Sequence, residues 1–316
     1  MDANHCPGAV CILFIFPNGK RVLHTGDFRW TDSLLYKSKY YELISNHAKI
    51  NKNLTVYLDT TYCDAAYTFP KQDFILQKVI ETAESHLNPS NLINPNELVN
   101  NSVLFIVGAY CIGKERVYMS IAEHLGIKVH VDKTRWKSLL CLDWKSEEHA
   151  KLSTDLAVPG VIRNFPSLTH SKAAILVVNM NQLNFVSIEK IIENISLKSK
   201  QSFTKVVAFQ PTGWTHNSSS DKKLQNKSEN HAFQSREKGK IVIYSVSYSE
   251  HSSFTELLEF IATFKPQIII PTVGTSSEKS EAQVKLLRQY SKNVYNMTNN
   301  FDYDEILNKR KYVSEF

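Results

Sequence analysis

Three short clusters combine metal-binding side chains with residues that shape tight loops: residues 2–8 (DANHCPG), 25–29 (TGDFR) and 248–253 (YSEHSS). Each places a histidine or an aspartate at one end of an apolar segment. Imidazole nitrogens and carboxylate oxygens are the ligands of a non-redox zinc site, and the binding sites of layered α/β folds lie where strands end. Taken singly, a histidine at a strand end is more often a hydrogen-bonded structural residue, and a Gly-Asp pair is more often a turn.

Residues 108–114 (GAYCIGK) follow an apolar segment and satisfy the G-x-x-x-x-G-K pattern of nucleotide-binding loops. Such a loop also needs Ser or Thr at the next position to hold Mg²⁺. Glu115 stands there instead, and its charge would oppose bound phosphates. A nucleotide-binding protein is therefore a remote alternative. Lys114 is a candidate contact to a nucleic acid phosphate, although a solvated lysine at a helix start is the simpler interpretation.

The elements that must position these clusters are short strands alternating with helices, a pattern that predicts an α/β layered fold. Turn residues 17–20 between two apolar segments predict a hairpin. Residues 217–238 are polar and are interpreted as a surface loop. Strands are predicted at 10–16, 21–24, 55–58, 103–107, 174–178, 205–209, 241–246 and 268–270, and helices at 74–86, 114–125, 187–195, 252–264 and 278–290.

Composition limits the function classes. With 316 residues the chain can form two domains, and its formal net charge of +6 fits a polyanionic partner as well as it fits solubility alone. No run approaches the roughly 18 apolar residues of a membrane span, so no membrane association is expected. The five cysteines are scattered without a CxxC pair. Reduced thiols are therefore expected, and any metal would be held by histidine and carboxylate side chains.

The order and wording of the clusters resemble the DNA cross-link repair nucleases of the metallo-β-lactamase/β-CASP superfamily. DANHCPGA, TGDFRW, YLDTTYC, GAYCIGKERV, AFQPTGWTH, YSEHSS and KPQIIIPTV occur in family order and span residues 2–273. The resemblance implies an αββα metallo-β-lactamase sandwich, incomplete at its N-terminus, with an inserted α/β β-CASP domain. Residues 1–52 and 204–316 would be the two segments of the sandwich, and residues 53–203 the insertion.

The resemblance also implies an activity: zinc-dependent 5′→3′ DNA exonuclease action in interstrand cross-link repair, in the nucleus. His5, Asp27 and His251 are identified as the metal ligands, and Asp27, Asp59 and His251 as the catalytic residues. Val273 matches the position at which DNA-acting members carry Val and RNA-acting members tend to carry His. DNA is therefore the expected partner, whereas the repair proteins that recruit the chain are unknown.

A 5′-phosphate is expected to bind near the start of the helix at 252–264 and near a glycine turn. Hydroxyls and free backbone N–H groups at a helix start face an anion, and a glycine lets the backbone approach a phosphate closely. The alternative is that Ser252 only caps its helix. The residues assigned to substrate binding are Thr212, Gly213, Trp214, Thr215, Ser252, Ser253, Lys114 and Val273.

One departure from the family is large, because its HxHxDH motif, which donates ligands to both metals, is missing from the sequence. No two histidines lie two residues apart. We therefore expect the chain as given to bind zinc poorly and to be inactive, whereas the complete protein would hold one or two zinc ions. The alternative is a non-catalytic DNA-binding or scaffold paralogue.

Overall fold

The structure is a computed structural model that describes residues 1–31, 53–87, 102–155, 159–162, 172–200, 202–213, 233–274 and 276–298. The chain divides into two compact units: residues Met1–Thr68 together with Glu250–Phe316, here called the terminal unit, and residues Phe69–Ser249, the central unit. Parallel and antiparallel strands alternate with helices in the described residues, which confirms the predicted α/β class.

Strands and helices lie close to the segments predicted for them. The strands are β1 (Ile12–Ile15), β2 (Arg21–His24), β3 (Leu54–Leu58), β4 (Ser102–Ala109), β5 (Val129–His130), β6 (Leu152–Ser153), β7 (Gly160–Val161), β8 (Lys172–Asn179), β9 (Lys205–Pro211), β10 (Phe233–Lys238), β11 (Ile241–Val246) and β12 (Ile268–Pro271). The helices are α1 (Gln72–Ser85), α2 (Glu115–Leu125), α3 (Lys133–Leu140), α4 (Ser146–Ala150), α5 (Phe185–Ser199), α6 (Phe254–Phe264) and α7 (Ser277–Thr298), with a 3-10 turn at Met180–Gln182.

The terminal unit is built on a four-stranded sheet in the order β1-β2-β3-β12. β1 and β2 form the predicted antiparallel hairpin, and β3 pairs in parallel with β2 and with β12. Aromatic rings join α6 to the segment after β2, because the Trp30 ring lies 5.2 Å from Phe260 and 5.5 Å from Phe264 between centroids. All three rings are buried, so the apolar face of α6 is fixed against this segment.

A buried ion pair stands beside these rings. The Arg29 guanidinium is fully buried, and its Nη2 lies 3.0 Å from Glu256 Oε1. Glu256 also accepts a hydrogen bond from the Ser253 backbone N–H, while the Ser253 hydroxyl accepts one from the Glu256 N–H, which forms a capping box at the start of α6. The pair therefore ties the loop after β2 to the first turn of α6.

The central unit is built on a larger sheet in the order β10-β11-β9-β4-β8-β5-β6, with β7 paired to β8. β4, β8, β9 and β11 are parallel neighbours. Both faces of β4 are buried: Phe105 packs in a cluster that includes residues of α1 and α2, and Ile106 in a cluster that includes residues of α5. Burial on both faces explains why β4 is a nearly continuous apolar run.

One prediction made from the sequence is wrong in part, and the predicted domain boundaries stay a prediction. The units divide after Thr68 and after Ser249, whereas the predicted domain boundaries follow residues 52 and 203. β3 hydrogen-bonds in the sheet of the terminal unit, and β9 to β11 complete the sheet of the central unit. Part of the predicted surface loop at 217–238 is strand β10, because its backbone pairs with β11 despite its polar side chains. Residues 217–232 lie outside the described residues.

The helices of the described residues include none that is long and apolar enough to cross a membrane.

The buried ion pair yields a stability prediction. Glu256→Gln replaces the carboxylate 3.0 Å from the buried Arg29 guanidinium with an uncharged amide, so we expect the free energy of unfolding to fall by about 3 kcal/mol. Urea unfolding at neutral pH measures the loss. Glu281→Gln, at an exposed position of α7, is the matched control and should change stability little. Equal stability of the two variants would contradict the assignment.

A second prediction concerns pH and the central unit. Burial of the His86 ring, helped by the positive charge of Lys205, lowers the pKa of His86 from 6.5 to about 4. The neutral ring, whose Nε2 lies 2.9 Å from the Tyr244 hydroxyl, is thus favoured in the fold. The unfolded chain binds more protons in this range, so the contribution of His86 to stability is full above about pH 6.5 and is lost as the pH falls towards 4. Unfolding between pH 7 and pH 4.5 should show a flatter pH dependence in His86→Gln than in the wild type. Identical slopes would refute the claim.

Candidate metal centre

The three predicted metal ligands meet in the terminal unit. His5, Asp27 and His251 each offer one ligand atom, and these atoms all lie within 4.8 Å of one another. The His5 Nε2 atom is 3.9 Å from Asp27 Oδ2, and the rings of His5 and His251 are 4.6 Å apart between centroids. Residues separated by more than 200 positions in the sequence thus form one cluster of two imidazoles and one carboxylate.

A tight loop and one hydrogen bond orient His5. The loop begins at Asn4, which has a positive φ of 51°, and it is closed by the backbone bond from Ala9 N–H to Cys6 O. His5 Nδ1 lies 2.9 Å from the carbonyl oxygen of Glu250. Because a carbonyl oxygen can only accept, Nδ1 carries the proton and Nε2 presents its lone pair towards Asp27.

Asp59 orients His251 in the same way. The Asp59 Oδ2 atom lies 2.7 Å from His251 Nδ1, so this nitrogen is the donor and Nε2 is left as the ligand atom. The Asp59 carboxylate is 2% exposed and also accepts hydrogen bonds from the Thr61 backbone N–H and hydroxyl and from the Phe28 N–H. Both oxygens are therefore occupied within the protein.

The charge state of Asp59 follows from these contacts. Burial acts to raise the pKa of its carboxyl, but the hydrogen bond and charge of His251 and the hydrogen bonds from Thr61 outweigh it, so the pKa is lowered. Asp59 is thus a carboxylate at neutral pH. It is a second-neighbour partner of the cluster, because its oxygens face His251 and Thr61.

Asp27 supplies the exposed side of the cluster. Its side chain is 59% exposed, against 20% for His5. The residue before it, Gly26, has a φ of 58°, a conformation that lets the chain turn sharply after β2. Thr25 anchors this turn, because its N–H donates to Tyr57 O and its hydroxyl accepts from the Asp59 N–H. The carboxylate therefore faces solvent from a fixed backbone.

The donor set fits a catalytic zinc ion. Hydrolytic zinc sites use three protein ligands from His, Asp and Glu and leave a further position open. Two imidazoles with fixed tautomers and one exposed carboxylate match that chemistry. In the part of the chain that the structure describes, no other group of three such side chains is found.

The structure places Ser252 and Ser253, which were predicted to face an anion, inside the terminal unit. Ser252 is 2% exposed; its hydroxyl donates to Phe28 O and accepts from the Trp30 N–H. Ser253 is fully buried and caps α6, which begins at Phe254. The helix start at this position is closed by the capping box, so the two hydroxyls stabilise the fold and are not available to a phosphate.

Lys114 is also placed differently from the prediction. It is 6% exposed, and its Nζ donates to Tyr248 O at 3.3 Å and lies 5.3 Å from the centre of the Tyr248 ring. The lysine therefore stabilises the central unit through its contacts with Tyr248. Thr212 and Gly213 are half-buried after β9, and Trp214 and Thr215 lie outside the described residues. Val273 is 38% exposed after β12, and its carbonyl accepts from the Thr60 hydroxyl.

Two orienting groups were missed from the sequence. The Glu250 carbonyl that fixes His5 is a backbone atom, for which the sequence carries no signal. Thr61, by contrast, could have been recognised, because an aspartate commonly accepts hydrogen bonds from the residue two positions later.

The chain is similar to known proteins over most of its length. Residues 166–277 match the family described as DNA repair metallo-beta-lactamase. The chain is 35% identical to the DNA cross-link repair 1A protein of Gallus gallus and 36% identical to that of Homo sapiens, over 89% and 90% of its length and 24% and 23% of theirs. It is 28% identical to the 5′ exonuclease Apollo of Danio rerio, over 87% of this chain and 36% of that protein. The chain thus spans about a quarter of the length of the 1A proteins that it matches.

Three ligand atoms are fewer than a closed four-ligand site provides, so we still expect the chain to bind zinc poorly, with at most one ion that dialysis against a chelator removes. Competition with a chromophoric chelator should give a stoichiometry of at most one. Asp59→Asn should weaken binding by about 10- to 100-fold, because the amide has no charge and only one acceptor oxygen, whereas both Asp59 oxygens accept hydrogen bonds and one of them orients His251. Asp64→Asn, at an exposed carboxylate in the same segment, is the control. Unchanged affinity in Asp59→Asn would contradict its orienting role.

Proposed function

Because the chain belongs to the DNA repair metallo-β-lactamase family, we propose that it is a zinc-dependent 5′→3′ exonuclease acting on DNA in interstrand cross-link repair. The observation that supports this most strongly is the convergence of His5, Asp27 and His251. The name of the Apollo relative supports the exonuclease assignment. Residence in the nucleus follows from the proposed role.

His5, Asp27 and His251 would hold the metal. A zinc ion bound there supplies Lewis acidity that polarises a phosphoryl oxygen and offsets developing negative charge. In His5 and in His251 the Nδ1 atom donates to an internal acceptor, so Nε2 is the atom of each ring that would bind the metal. Asp27 faces solvent, where a phosphodiester has access. Asp59 acts through His251 and is a positioning residue, because its two oxygens are occupied by internal donors.

Val273 supports DNA as the substrate. Its exposed side chain has no group that could hydrogen-bond a 2′-hydroxyl, the feature that distinguishes RNA from DNA. The residue is tied to the end of β3, because its carbonyl accepts from Thr60, the neighbour of Asp59 in sequence. The preference for a 5′-phosphate stays a prediction. Because Ser252 and Ser253 are buried, we assign no side chain of the terminal unit to binding this phosphate.

Three donors hold one ion, and a second ion would need ligands beyond this set. We therefore keep the expectation that the chain alone hydrolyses DNA little, if at all. This is also the observation that favours the alternative, a non-catalytic DNA-binding paralogue. The two are separated by supplying the HxHxDH segment of a family member as an N-terminal fusion.

The fusion should degrade 5′-phosphorylated DNA in a zinc-dependent manner. Asp27→Asn in the fusion should lower the rate by at least about 100-fold, because this carboxylate is both a ligand and the exposed wall of the cluster. Release of labelled nucleotides, with the zinc content determined for each variant and Asp64→Asn as control, measures the effect. A wild-type rate in Asp27→Asn at equal zinc content would refute the proposed centre.

The same fusion should cleave DNA much faster than RNA of identical sequence at the same salt concentration. Val273→His introduces a ring that can form hydrogen bonds, and it should lower the ratio of the DNA cleavage rate to the RNA cleavage rate. Equal rates on DNA and RNA in the wild type would contradict the proposed substrate class.

A further inference from the structure

The central unit has a topological switch between β4 and β8. These strands pair in parallel over their whole length, from Ser102↔Lys172 to Ala109↔Asn179. The chain leaves β4 towards α2, which packs in the cluster on one face of the sheet, and leaves β8 towards α5, which packs in the cluster on the other face. In open α/β sheets, the carboxyl ends of two strands whose connections diverge in this way form the crevice in which ligands bind.

A buried arginine forms the floor of this crevice. Arg135 of α3 is 3% exposed, and its hydrogen bonds to the two strand ends and to its own helix start are 3.0 to 3.4 Å long. The acceptors are the backbone oxygens of Ala109, Tyr110 and Val177 and the side chains of Asp132 and Asn179. The guanidinium donors are thus used inside the protein, so Arg135 fixes the rim of the crevice and is not itself a ligand-binding group.

Tyr110 stands on this rim with its ring in solvent. Its backbone is held by Arg135, and the loop that follows is closed by the hydrogen bond from Gly113 N–H to Glu115 Oε1, at 2.6 Å. Nevertheless the residue is 59% exposed, and among the described residues of the central unit it is the one aromatic residue with a strongly exposed side chain. An aromatic ring on a fixed backbone loses little conformational entropy when it binds a partner.

The groups around Tyr110 indicate the chemistry of that partner. α3 lies beside the loop, because Ser138 Oγ is 3.6 Å from Cys111 Sγ. Lys133 and Lys137 of this helix are exposed one turn apart, and the helix contains no acidic residue. The 3-10 turn that follows β8 contains a further exposed polar residue, Asn181. Binding sites for single strands combine three kinds of group. An aromatic ring stacks on a base, an amide hydrogen-bonds the edge of a base, and lysines attract the phosphates.

We propose that this rim is a nucleobase-stacking site for a single DNA strand, in which the Tyr110 ring stacks on a base and Lys133 and Lys137 face the backbone. The proposal rests on the proposed function for the choice of DNA as ligand. A purely apolar protein partner fits less well, because the helix beside the Tyr110 loop carries two exposed lysines. The site would hold a strand independently of the metal ligands, all of which belong to the terminal unit.

Fluorescence anisotropy with two labelled single strands of equal length, one with bases and one wholly abasic, tests the proposal. A chelator is present, so that neither zinc binding nor cleavage enters the result. Tyr110→Ala should weaken binding of the base-bearing strand about fivefold or more, the loss that follows removal of one stacked base. It should leave binding of the abasic strand unchanged. Tyr110→Phe keeps the ring and should bind like the wild type.

Leu197→Ala removes another exposed apolar side chain of the central unit, 77% exposed on α5, and should change neither affinity. Thermal unfolding of every variant confirms that the fold is kept, as expected for an exposed position. The proposal is overturned if Tyr110→Ala binds the base-bearing strand like the wild type, or if it loses affinity equally for both strands. Failure of the stacking proposal would not affect the proposals on zinc binding and hydrolysis. Conversely, an inactive fusion would not affect the stacking proposal.

Discussion

The hydrogen bond between Asp59 and His251 is the interaction on which the metal centre depends. It joins residues 192 positions apart in the sequence and ties the carboxyl end of β3 to the segment that leads into α6. A carboxylate buried to this extent is tolerated only when its oxygens are paired. His251, Thr61 and Phe28 provide that pairing, so the contacts that make Asp59 compatible with the core also fix the ring of a metal ligand.

The two units use a buried arginine in comparable ways. Arg29, two residues after Asp27, pairs with Glu256 and fixes the loop after β2 against the start of α6. Arg135 joins the ends of β4 and β8 and holds the backbone of Tyr110. In both cases hydrogen-bond acceptors stabilise a buried cation that would be destabilising alone. The same contacts fix the backbone near an exposed side chain, which is Asp27 in the terminal unit and Tyr110 in the central unit. Stability and site geometry therefore rest on the same contacts.

The sequence predicted much of this arrangement, because strand ends are local features. Apolar runs located β1, β2, β3 and β11, and the polar residues that precede or follow these strands include His5, Asp27, Asp59 and His251. What the sequence could not reveal are partners brought together by the sheets. In the sequence Ser252 resembles an anion-binding residue, but in the structure its hydroxyl forms hydrogen bonds with the backbone of Phe28 and Trp30. In the sequence Lys114 resembles a phosphate-binding residue, but in the structure its ammonium group donates to the Tyr248 carbonyl. Polar β10 becomes a strand only because β11 lies beside it.

Internal acceptors set the tautomers of His5 and His251, so that Nε2 is the atom of each ring that would bind one zinc ion. Long-range ¹H–¹⁵N correlation spectra of the metal-free chain at pH 8, with both rings assigned by substitution, report which nitrogen carries the proton. We expect a protonated Nδ1 and an unprotonated Nε2 in both rings, and direct coordination through Nε2 when zinc is added. A proton on Nε2 of either ring, or zinc bound through Nδ1, would contradict this expectation.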